Sequence, residues 1–219
     1  NQRIQVFDKE KIIPQGPWRS VAAHYNVFAV EHFLDELAQK GGHDPLEYRL
    51  RLLDGSPRLR RVLELAAERM GWKGKVAGAR SYGVAAAYCF GSYVAQMLEL
   101  EQESSGTYAV RKVVCAIDCG IVINPDIVRQ QMEGSVIYGL SAAVKSKITV
   151  REGRVEQSNF HDYPILRMHE IPEIDVVLVA STESPEGIGE PGVPPLAPAL
   201  ANALMAKTGV PVRELPIKL

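Results

Sequence analysis

Near residue 80 the hydrophobic period of this chain changes from that of a helix to that of a strand, and this change limits the possible folds more than any single motif. Before it, Val27, Val30, Phe33, Leu34, Leu37 and Ala38 recur at helical spacing, which predicts a helix over 27–39 that ends at Gly41-Gly42. Asp44-Pro45 and Ser56-Pro57 are cap and first-turn pairs, and they predict two further helices, reaching Leu53 and Met70. Residues 1–26 read as irregular or strand-like, and residues 73–79, rich in Gly and Lys, as a loop or linker. After residue 80, the stretches 81–88, 93–101 and 108–117 alternate in the manner of strands, with Ser104-Ser105-Gly106 as a turn. Asn124-Pro125 then opens a helix carrying Ile127, Val128, Met132, Val136, Ile137, Leu140 and Val144 on one face. Gly134 and Gly139 inside it cost about 1 kcal/mol each against alanine, so something is expected to approach its backbone there. A hairpin over 145–150 and 154–159 around Glu152-Gly153 and a strand over 175–180 complete the pattern. The expected class is α+β, mixed helices with an antiparallel sheet, divided into a helical segment (1–79) and an α+β domain (80–219).

Composition narrows the partners. With 25 Lys and Arg against 26 Asp and Glu, the formal net charge is -1, so no overall field draws nucleic acid or an acidic membrane. No apolar run approaches the roughly 20 residues of a membrane span. Cys89, Cys115 and Cys119 lie in apolar, strand-like surroundings without metal-ligand spacing, and they read as buried thiols. The chain reads as soluble, with cytoplasm and periplasm left open.

The chemistry concentrates near the C-terminal end, where Glu186-Gly187-Ile188-Gly189-Glu190-Pro191-Gly192-Val193-Pro194-Pro195 precedes an alanine-rich run from Leu196 to Ala206. Glycine lets another group approach closely and proline stiffens the turn, so this loop would hold Glu190 in one place. The run that follows has helical spacing and a stop at Gly209, which would set Glu190 just before a helix N-terminus, a favourable place for a carboxylate. A rigid carboxylate facing a ligand is a candidate general base; helix capping is the commoner role for such a residue. The loop could also cradle an anion, but Glu190 in its middle would repel phosphate.

Several stretches together resemble one family. They are Gly16-Pro17-Trp18-Arg19-Ser20-Val21, Phe28-Ala29-Val30-Glu31, Asp118-Cys119-Gly120 with Asn124-Pro125, Gln131-Met132-Glu133-Gly134, Asn159-Phe160-His161-Asp162-Tyr163-Pro164 and Gly187-Ile188-Gly189-Glu190-Pro191. In this order they resemble the molybdopterin-binding large subunits of the molybdenum hydroxylases, the family of xanthine dehydrogenase and aldehyde oxidase, and most nearly the group of the isoquinoline 1-oxidoreductase large chain.

The resemblance implies a molybdenum–molybdopterin cofactor, in its dinucleotide form, with no protein side chain bound to the metal. It places Glu190 as the general base, Gln131, Gly134 and Gly189 beside the cofactor, and Arg19 and Trp18 towards the substrate. The implied reaction oxidises an N-heteroaromatic compound or an aldehyde with oxygen from water, and passes electrons to iron–sulfur clusters on a small partner subunit. The family's Gly-Gln-Gly-x-x-Thr segment, which grips the pterin, is missing from these 219 residues. The chain is therefore expected to be the C-terminal portion of a large subunit, paired with the part that carries this segment. The competing reading is a structural or interaction subunit that keeps the fold without the metal cofactor.

Overall fold

The computed structural model describes residues 16–219, so the strand-like reading of 1–15 lies outside the described residues. Three helices come first: α1 (Ala23–Lys40), α2 (Pro45–Arg51) and α3 (Pro57–Met70). Helix α1 starts four residues earlier than its apolar spacing suggests, taking in part of the segment read as irregular. The Asp44 side chain caps α2 by accepting from the N–H groups of Leu46 and Glu47, and α3 stops at Gly71 in the left-handed conformation.

Strands β1 (Val76–Ala77), β2 (Arg80–Cys89), β3 (Ser92–Gln102) and β4 (Tyr108–Asp118) form an antiparallel meander. Helix α4 (Pro125–Val144) follows, with Asn124 accepting from the N–H groups of Asp126 and Ile127 as expected. The short strands β5 (Val150–Arg151) and β6 (Arg154–Val155) are all that exists of the expected hairpin; Glu152 and Gly153, both at positive φ, turn between them. Strand β7 (Glu173–Leu178) then joins β4 in parallel, giving a five-stranded sheet of order β1-β2-β3-β4-β7. The sheet is therefore mixed and not wholly antiparallel, because the long excursion through α4 brings the chain back to the starting end of β4. Helix α5 (Leu196–Thr208) ends at left-handed Gly209.

Both faces of the sheet are covered. Val84, Ala86, Ala95, Met97, Val114 and Ala116 pack against Val62, Leu63, Ala66 and Ala67 of α3. Ala85, Val94, Leu98, Val113, Cys115 and Ile117 on the other face meet Met132, Val136 and Leu140 of α4 and Leu196, Leu200 and Ala203 of α5. Strands buried on both sides explain the nearly continuous apolar runs in β3 and β4. Helix α5 lies so close to β2 that a Cβ on Gly83 would overlap the Ala199 carbonyl. The close approach expected at Gly139 is made by Leu196, 3.0 Å from where its Cβ would stand. Cys115 and Cys119 are buried, as expected, whereas Cys89 is only partly so.

Helix α1 turns the wrong way for its apolar pattern. Val30 and Phe33 are 58% and 56% exposed, while Glu31, His32 and Asp35 are buried. The reason lies in β2, whose outer edge is covered by β1 for only two residues and would otherwise bury unpaired backbone groups. The Glu31 carboxylate accepts from Ala86 N–H at 3.0 Å, and Asn202 Nδ2 of α5 donates to the Val84 carbonyl at 2.9 Å. Arg49 of α2 offsets part of this buried negative charge by donating to Glu31 Oε2 (2.8 Å) and Asp35 Oδ1 (2.5 Å). His32 Nε2 accepts from Val212 N–H, so Nδ1 carries the proton given to Asn202 Oδ1 at 2.7 Å.

Candidate functional site

The loop from β7 to α5 is held by its carbonyl groups. Ser92 Oγ and Gln96 Nε2, both on β3, donate to the carbonyls of Gly187 and Gly192, each at 2.6 Å. Arg19 Nε donates to the Gly189 carbonyl at 2.8 Å, and Ser20 Oγ to the Glu190 carbonyl at 2.6 Å. The entry to the loop is pinned as well, by Glu186 N–H on the Cys119 carbonyl and Gly187 N–H on the Phe90 carbonyl. The carbonyls of Gly187, Gly189, Glu190 and Gly192 are thus satisfied by the protein, while the N–H groups of Ile188, Gly189, Glu190 and Gly192 have no acceptor among the described residues.

Half-buried Glu190 is fixed by its own carboxylate too. Its Oε1 accepts from Ser20 N–H at 3.0 Å, and Oε2 has no partner among the described residues. Helix α5 begins only at Leu196 and has no side-chain cap, so Glu190 is separated from the helix end by the turn 191–195 and is not its cap. The helix starts at Leu196, where the alanine-rich run begins in the sequence, with Pro194 and Pro195 immediately before it. Cys89 adjoins the site. Burial first and the Glu190 charge second push its thiol up to about 11.

Arg19 connects the loop to α4. Its Nη2 donates to Gln131 Oε1 and Ser135 Oγ, both at 2.9 Å, while Nη1 lies against Gly134, 3.9 Å from where a Cβ would stand. Burial pulls the guanidinium below its usual pKa, and Tyr138 and Glu190 oppose that fall. Its cation lies 5.7 Å from the centroid of the Tyr138 ring. Trp18 stacks obliquely on Tyr138 and on His24, each at 4.7 Å between centroids. An aromatic wall therefore stands beside the charged network.

The structure brings all six residues singled out from the sequence into one network or its wall: Trp18, Arg19, Gln131, Gly134, Gly189 and Glu190. Sequence reasoning missed Ser20, Ser92, Gln96, Ser135 and Tyr138. Ser135 and Tyr138 carried a usable signal, since they stand four and seven residues after Gln131 on one helix face. Ser92 and Gln96 carried none, being two polar residues in an apolar strand. A hollow of about 1280 Å³ lies elsewhere, between β4, the end of α4 and the C-terminal residues, and none of the six lines it.

Residues 35–172 match a family model described as a molybdopterin cofactor-binding domain. The chain belongs to that family. This molybdopterin cofactor-binding domain is 36% identical to the beta chain of the isoquinoline 1-oxidoreductase of Brevundimonas diminuta, over 99% of its own length and 28% of that protein. It is 34% identical to a chain of the nicotinate dehydrogenase of Pseudomonas putida, over 99% of its length and 20% of the relative. The chain thus spans roughly a quarter of these relatives. The aldehyde oxidoreductase of Desulfovibrio desulfuricans shares the fold, with a TM-score of 0.71 at 16% identity over 91% of this chain and 40% of that one. Among the described residues no helix is long and apolar enough to cross a membrane.

The site of this molybdopterin-binding domain suits such a group. A pterin ring system needs several donors held apart. Here the four unpaired loop N–H groups stand with Gln131 Nε2, which has no acceptor among the described residues. Gly189 adds open space, since a Cβ there would meet nothing within 4 Å. The family match covers Gln131 and Gly134 and ends before Glu190, which the alignments to both relatives include.

Proposed function

We propose that this chain is the C-terminal part of the catalytic subunit of a molybdenum hydroxylase, oxidising an N-heteroaromatic compound or an aldehyde with oxygen from water. In this reading Glu190 is the general base. Its Oε1 is occupied by Ser20 N–H, which leaves Oε2 to accept and hold the proton. Gln131 Nε2, Gly134 and the N–H groups around Gly189 hold the molybdenum–molybdopterin group, taken in its dinucleotide form. When bound, that group supplies the two-electron oxidation and oxygen transfer that side chains cannot perform. Trp18, with Tyr138, forms an aromatic wall for a flat substrate, and Arg19 Nη1 offers it a positive charge. Electrons leave to iron–sulfur clusters on a small partner subunit, and another part of the large subunit supplies the remaining grip on the pterin.

One observation carries the reading: Arg19, Ser20, Gln131 and Glu190, from three distant segments, join in a single hydrogen-bonded network around one free carboxylate oxygen. The names of the relatives, oxidoreductases of isoquinoline and nicotinate, favour the N-heteroaromatic substrate class. The test is Glu190→Gln in the assembled enzyme, which keeps the size and polarity of the side chain and removes the base. Turnover should fall at least about 1,000-fold with molybdenum content unchanged. Near-normal turnover would refute the assignment, and a fully assembled wild-type protein without molybdenum would support the structural-subunit reading instead.

A further inference from the structure

Ser20 touches Glu190 twice. Its backbone N–H reaches Oε1 at 3.0 Å, and its Oγ reaches the Glu190 carbonyl at 2.6 Å. The side chain of Glu190 and the backbone beneath it are therefore gripped by one residue that is fully buried. The backbone is strained to make this possible: Ser20 has φ 75° and Val21 φ 40°, a region that non-glycine residues seldom enter and β-branched ones avoid. Such strain persists only where surrounding contacts enforce it, and it gathers at sites that must hold a fixed geometry. Here the enforcing contacts are the two bonds to Glu190 and those of the neighbouring Arg19 to the Gly189 carbonyl, Gln131 and Ser135. The Val21 N–H closes the turn on the Trp18 carbonyl at 2.7 Å.

We propose that Ser20 is the positioning residue for Glu190: its hydroxyl fixes the backbone of the base while its N–H turns the carboxylate so that Oε2 stays free. The proposal rests on the reading of Glu190 as the base, and its test separates the two. Ser20→Ala removes the hydroxyl at the same backbone strain, and Ser20→Gly removes it while relieving the strain. In the assembled enzyme both should lower kcat by about 10- to 100-fold, with KM within about twofold and molybdenum content unchanged, since a small misplacement of a catalytic group is costly. A residue that mattered only for folding would instead let the glycine variant keep its turnover.

The second readout needs no bound cofactor. A crystal structure of Ser20→Ala should show the Glu190 carboxylate turned from its wild-type position, because the contact of Ser20 Oγ with the Glu190 carbonyl is gone. Wild-type kcat together with an unmoved carboxylate in Ser20→Ala overturns the proposal. A moved carboxylate combined with full turnover in Glu190→Gln supports the clamp and removes Glu190 from the chemistry.

Discussion

Arg19 and Gln131 share a 2.9 Å hydrogen bond from guanidinium to amide oxygen, although 112 residues separate them in the chain. The bond turns the amide so that its Nε2 points away from Arg19, and it ties α4 to the loop of Glu190 through the same guanidinium. Arg19→Lys should break this arrangement, because an ammonium cannot serve the Gly189 carbonyl, Gln131 and Ser135 with a planar fork. The expected loss is about 1–3 kcal/mol in urea unfolding, accompanied by reduced molybdenum content.

Arg49 is fully buried between Glu31 and Asp35. Arg49→Ala leaves two carboxylates without a counter-charge, so it should cost about 3–5 kcal/mol near neutral pH. Burial, the largest influence, raises the pKa of Asp35 despite Arg49. The folded state therefore holds this proton more tightly than the unfolded state does. Stability from Asp35 is greatest at low pH and declines as pH rises from the ordinary carboxylate value through the raised one. The deficit of Arg49→Ala should accordingly be smaller at pH 5 than at pH 7, as read from urea midpoints; a pH-independent deficit would contradict this account.

Gly83→Ala places a methyl group against the backbone of α5, at Ala199 and Ala203, where no flexible side chain can yield. The helix or the strand has to shift, at about 3 kcal/mol or more. Thermal unfolding should show a lower Tm, and Gly78→Ala offers no comparable steric test because its space is open and its φ is positive.

The strands β2, β3 and β4 and the helices α3 and α4 were legible because alternation, periodicity and caps such as Asn124 are local. The hairpin at 150–155 was overread, since a Glu-Gly turn says that the chain reverses but not how far the strands pair. Of the site, Glu190 was legible from its glycines and prolines, and Gln131 from the glycines on its helix together with the family resemblance. Ser20 was not, because nothing local distinguishes a serine that grips a residue 170 positions away.

By itself, then, the sequence determined the α+β class, the caps at Asp44 and Asn124, the glycine stops at Gly41, Gly71 and Gly209, and the stiff loop around Glu190, all consequences of short-range sterics and patterning. Only the tertiary structure decided which way α1 faces and where Glu190 is held. The apolar stripe of α1 predicts a buried Phe33, yet the uncovered edge of β2 takes the Glu31 carboxylate on Ala86 N–H, which turns the polar face of the helix inward and leaves Val30 and Phe33 outward. Parallel pairing of β7 and the convergence of Ser20, Arg19 and Gln131 on the loop likewise depend on contacts between distant segments, which no local pattern encodes.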